Sequence, residues 1–152
     1  MQRFLPNRAQ SFGFLAAYVF LNVVGAAVQT QFNLGYLLAL GIDVPFSMRL
    51  STTLHDIVFL QPLFGVIFGL GFLVAMIVGN MIANLLKTLP DLVFALAGFA
   101  AMAVTLLSLK AAFQITAIGA TRQWDGFLSL CIVSALAGYA FSIVKTRLAR
   151  NG

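Results

Sequence analysis

The stretch PLFGVIFGLGFLVAMIVGNMIANLL, residues 62–86, decides how the rest of the chain is read. At about 1.5 Å per helical residue it reaches past the ~30 Å hydrocarbon core of a bilayer, so it reads as a transmembrane helix. Gly71, Ala75, Gly79 and Ala83 recur four apart, and Gly65 and Gly69 repeat that spacing one step earlier. Such a row of small residues lets a neighbouring helix backbone come close. Asn80 and Asn84 project from another side, about 140° round from the centre of the row at 100° per residue. A helix with two faces that each prefer protein to lipid is expected at the centre of a bundle.

Composition agrees with that setting. The chain has 152 residues, is 61% hydrophobic and 9% charged, and has a mean hydropathy of +1.01. Soluble domains carry about a quarter charged residues, so this chain belongs in lipid as a single polytopic domain, residues 1–152. Four spans with short connections fill that length and leave no room for a separate soluble catalytic domain. The net charge of +5 comes from nine Lys and Arg against four Asp, without a Glu. These charges stand at the ends of apolar runs rather than on one face, which argues against nucleic acid as a partner. The expected partners are the lipid bilayer and other transmembrane helices, from a second copy or another subunit. Cys131 is the only cysteine, so an internal disulfide and a CxxC pair are both excluded; it reads as a small buried hydrophobe.

Outward from residues 62–86, the pattern predicts an all-α membrane protein, a bundle of four transmembrane helices with an additional amphipathic interfacial helix between spans 1 and 2. The spans are expected at about 12–31, 62–86, 92–110 and 127–145, and the interfacial helix at about 46–60. The first apolar run, broken only by Asn22, follows a start bearing Arg3 and Arg8. Its small residues Gly25, Ala26 and Ala27 also fit a cleavable leader, but we read it as a first span. Residues 33–41 form a short apolar piece, expected to lie in the interface or dip back into the membrane. Pro45 suits a helix start, and Phe46, Leu50, Leu54, Ile57 and Val58 then recur at helical spacing, with Arg49, Thr52 and Asp56 on another side. This piece is expected on the membrane surface, with Pro62 either separating it from the next span or kinking one long helix.

Lys87 to Asp91 reads as a turn whose Pro90 and Asp91 start the third span. There Ala97, Ala101, Thr105 and Ser108 fall within about 80° of one another, a face matched to the small row of the second span. Residues 111–126 form a connection with Gln114, Thr116 and the only tryptophan, Trp124, whose ring is favoured at a membrane boundary. The stretch GATRQWDG, residues 119–126, reads as a turn. The fourth span repeats the small-residue spacing at Ser134, Gly138 and Ser142, and the tail from Lys145 is basic. No internal repeat relates the halves, so an inverted-repeat transporter has no support in sequence symmetry. Placing the termini inside puts Arg3, Arg8, Lys87, Lys145, Arg147 and Arg150 on the cytoplasmic face, against Arg49, Lys110 and Arg122 outside. The positive-inside rule therefore predicts a multi-pass protein of the inner (plasma) membrane with both termini cytoplasmic.

Candidate chemistry is sparse. Arg49, His55, Asp56, Arg122 and Asp125 collect in the two outer loops. If an arginine there pairs with an aspartate near the headgroups, the cluster forms a ligand site for an anionic lipid head or a small polar molecule. The competing reading is a set of boundary charges left in water, where ion pairs contribute little. Within the spans, Asn22, Asn80, Asn84, Thr105 and Ser134 are candidates for interhelical hydrogen bonds or for a polar lining, beside the small packing positions Gly71, Ala75, Gly79, Ala83 and Gly138. No Asp, Glu, Lys or Arg falls mid-span, where proton-coupled carriers and pumps place one. A lone histidine and a lone cysteine are too few for a metal centre, and His55 has no second histidine for haem. No catalytic residue and no cofactor is expected. The expected function is therefore a non-catalytic accessory, anchoring or assembly subunit of a membrane complex. The alternative is a homo-oligomeric channel or transporter for a small neutral or weakly polar solute, and an enzyme acting on lipid at the outer cluster ranks third.

Overall fold

A computed structural model describes residues 8–86, 89–113 and 118–151. The start with Arg3, the turn residues Lys87 and Thr88, and Gln114 and Thr116 of the last connection lie outside the described residues. The chain forms α1 (Arg8–Ala39), α2 (Phe46–His55), a π-helical segment (Asp56–Leu60), α3 (Gln61–Leu86), α4 (Pro90–Phe113), a 3-10 turn (Gly119–Arg122) and α5 (Trp124–Asn151). No strand occurs among the described residues. Four of the helices are long and apolar enough to cross a membrane, over Gln10–Ala39, Phe64–Leu86, Pro90–Phe113 and Trp124–Leu148.

Each apolar run predicted as a span is a helix, extended at its ends. The largest correction concerns residues 33–41, which form no separate interfacial piece. α1 runs through them to Ala39 and stops only where Gly41 takes a φ of +80°, a left-handed conformation open to glycine at little cost. Asn33 and Tyr36 stay within the helix, and both lie beside the 3-10 turn. The Tyr36 hydroxyl donates to the Ala120 carbonyl at 3.4 Å, and the Asn33 amide lies against Gly119.

The shorter helix between spans 1 and 2 is present as α2, and its backbone continues without a break into α3. Of the two roles open to Pro62, it lies inside one long helix. The π-helical segment falls immediately before it, with the Gln61 amide bonded five residues back to the Asp56 carbonyl. Proline has no amide hydrogen and its ring crowds the carbonyl four residues earlier, so a widened turn just ahead of it relieves that conflict.

The bundle is ordered α1, α5, α4, α3 around its core, with Ala17, Leu21, Phe72, Phe94, Met102, Cys131, Ala137 and Phe141 inside. α5 is the central helix, which corrects the expectation for residues 62–86. Its most apolar stretch is buried to 44%, against 33% for that of α3. The cause is visible on α4, where Phe94, Gly98, Met102 and Leu106 form a buried row facing α5, a second face beside Ala97, Ala101 and Thr105. Gly98 touches the backbone carbonyl of Ser134, and Gly138 touches that of Phe94, so two helices meet backbone to backbone at reciprocal glycines. Close contact of this kind substitutes for the hydrophobic drive that lipid cannot supply.

Candidate functional site

The polar side chains of the bundle gather mainly in three places. The first is the seam between α1 and the α2–α3 helix. Near its end the Arg49 guanidinium donates to the Gln31 amide oxygen at 3.2 Å, while the Gln31 amide nitrogen donates to the Thr53 hydroxyl at 3.2 Å. Next, buried Thr30 donates to the Asp56 carboxylate at 2.7 Å, and its hydroxyl also stands 2.9 Å from the Ala26 carbonyl. Further in, Gln61 donates to Asn22 at 3.2 Å, and Asn22 donates back to the Tyr18 carbonyl at 2.8 Å. Four-residue spacing puts Tyr18, Asn22, Ala26 and Thr30 on one row of α1. Gly65 and Gly69 of α3 accept its lower end, lying against Asn22 and the Tyr18 ring.

The second place is the end of the bundle where α1 starts and α5 ends. Lys145 donates to the Asn80 amide oxygen at 2.6 Å and lies 4.9 Å from the centre of the Phe94 ring, while Ser142 donates to Asp91 at 2.5 Å. One lysine thus ties α5 to α3 across the edge of α4. Mid-bundle, buried Ser134 donates to the Gly98 carbonyl at 2.7 Å.

The third place is the opposite end, where α4 hands over to α5. A cavity of about 130 Å³ opens there between the last turns of α4, the 3-10 turn and the first turns of α5. Lys110, Arg122, Trp124 and Phe127 line it over a floor that includes Leu106 and Ile118. Trp124 is exposed and packs edge-on to Phe127 at 5.9 Å.

The structure divides the five residues expected to form one cluster, Arg49, His55, Asp56, Arg122 and Asp125. Arg49 and Asp56 bond to Gln31 and Thr30 on one side of α1. Arg122 and Asp125 sit at the 3-10 turn and the α5 start, near Asn33 and Tyr36. Gln31 and Tyr36 are about 140° apart round α1. Among the described residues none of Arg49, Asp56, Arg122 and Asp125 pairs with another of the four. Asp125 instead accepts the Gly126 amide at 3.0 Å. His55 is exposed and its ring lies 4.7 Å from that of Phe59. Of the span positions, Gly71 lies against Thr105 and Gly79 against Ala97 and Phe94, while Ala75 and Ala83 are partly buried against the core. Asn80 holds Lys145, and Asn84 is exposed. No group of three or more His, Cys, Asp or Glu side chains able to hold a metal occurs among the described residues.

Sequence reasoning missed Thr30, Gln31 and Gln61 as partners in the seam, Gly98 as a crossing point and Lys110 as a cavity wall. The signal for Thr30 and Gln31 was their polarity inside a run that stays helical, which requires partners within the fold. Four apolar spans joined in this way define the class: the chain is a multi-pass membrane protein. Compared with protein-family models, curated proteins and solved structures, it finds no match in any of the three.

Proposed function

We propose that this chain is a non-catalytic integral membrane subunit that anchors or assembles other transmembrane helices. One observation carries the reading: the polar groups inside the bundle are spent on joining its own helices, while its lateral faces are broad and apolar. Asn22, Asn80 and Ser134 each make an interhelical bond or accept one. Outward, α3 exposes Val66, Leu70, Val74, Met81 and Leu85, and α2 exposes Phe46, Leu50 and Leu54. On α2 the polar side is turned to α1, so the apolar side faces out, the reverse of a helix lying against a soluble core.

Native mass spectrometry of the protein released gently from its own membrane tests this. A stoichiometric second protein supports the subunit reading. A homo-oligomer without another subunit favours the channel or transporter, and flux should then fall in Asn80→Leu and Asn84→Leu while assembly persists.

A further inference from the structure

The cavity between α4 and α5 has a composition that the assembly reading does not use. Its two cations, Lys110 and Arg122, stand on different elements, and among the described residues neither makes a hydrogen bond or an ion pair. Elsewhere in the described chain Arg49 and Lys145 are both engaged with amides. The nearest carboxylate in sequence, Asp125, points its bonded oxygen at the Gly126 amide and does not line the cavity. At about 130 Å³ the space far exceeds the ~10–15 Å³ that one water needs and falls short of the ~300 Å³ of sites that enclose whole small molecules. It therefore suits one end of a longer ligand. Leu106, Leu107 and Phe127 supply an apolar wall, and Leu107 is open to the outside of the bundle. Trp124 stands at the rim with its amphipathic ring exposed, as at a headgroup boundary.

We propose that this cleft binds the phosphate headgroup of an anionic phospholipid. Lys110 at the end of α4 and Arg122 of the 3-10 turn grip the phosphate oxygens, with the guanidinium offering a forked pair of donors. The acyl chain descends along Leu107, and the Trp124 ring caps the glycerol region. A free phosphate would gain nothing from the apolar wall, which is why the lipid is the occupant.

Because Trp124 is the only tryptophan, its fluorescence reports on this site alone. The full chain is placed in bilayer discs of phosphatidylcholine doped with either phosphatidylglycerol or phosphatidylcholine carrying brominated acyl chains. Brominated phosphatidylglycerol should quench Trp124 at roughly thirtyfold lower doping than brominated phosphatidylcholine, the preference expected of two cations near a membrane surface. The pair Lys110→Gln, Arg122→Gln should abolish the preference, the charge-conserving pair Lys110→Arg, Arg122→Lys should keep it, and Arg147→Gln at the other end should leave it intact. Equal quenching by the two lipids overturns the proposal, as does a preference that survives the glutamine pair or is lost in the charge-conserving pair. Millimolar inorganic phosphate should not relieve the quenching; if it does, the site is one for free anions and the lipid assignment fails.

Discussion

The α4–α5 contact and the α1–α3 seam join helices in the same bundle by different means. α4 and α5 approach through reciprocal glycines, and their one mid-span hydrogen bond, from Ser134 to the Gly98 carbonyl, follows from that closeness. α1 and the α2–α3 helix are joined by a ladder of side-chain bonds from Gln31 and Arg49 down to Asn22 and Gln61. Shape holds the first pair and polar satisfaction the second. The difference matters in lipid, where dispersion packing rewards shape but an unbonded polar group has no water to turn to.

Substitutions can break this contrast. The largest effect is expected from Gly98→Ala, whose new methyl meets the Ser134 backbone and forces the helices apart; about 1–3 kcal/mol of stability should be lost, read by unfolding in mixed micelles. Thr30→Val comes next. It removes the hydroxyl donor of the half-buried Asp56 carboxylate and should cost about 1–2 kcal/mol in the same assay. An Asp56→Asn partner mutation should recover part of this loss, and a double-mutant cycle measures how much. Ser134→Ala and Asn22→Leu should each cost about 0.6 kcal/mol, the average for interhelical bonds in a membrane bundle. If Ser134→Ala proved as damaging as Gly98→Ala, shape would not be what holds α4 to α5. The smallest effect has the opposite sign. A methyl added at Gly25 in α1 meets nothing within 4 Å, so Gly25→Ala should raise stability by about 0.4–1 kcal/mol, visible as a higher unfolding midpoint.

The two kinds of contact also explain what could be read in advance. Apolar runs and their small-residue spacing stood in the sequence because lipid demands them, so the four helices and the shorter one before α3 were legible. Residues 33–41 were misread because Asn33, with the polar run Gln29 to Gln31 before it, looked like a boundary. Thr30 and Gln31 in fact bond to Asp56 and Thr53, and Tyr36 bonds to the 3-10 turn, all partners remote in sequence. Arg49, Asp56, Arg122 and Asp125 looked like one cluster for a similar reason, since sequence places Arg49 and Arg122 at the same end of the spans but cannot place them on separate sides of α1. The cavity was legible only as its parts. Arg122 and Trp124 were singled out, but Lys110 joins them through the handover from α4 to α5, a matter of geometry.

The helices also differ in length. α1 has 32 residues and α4 has 24, about 48 Å against about 36 Å. A flat hydrocarbon layer of ~30 Å is matched more nearly by the shorter helix, and the longer one must lean or bring its far end out of the oil. A change in thickness should therefore not bear on the helices alike: thickening the bilayer bears first on α4, and thinning it bears first on α1 and on the polar ladder that α1 shares with α2.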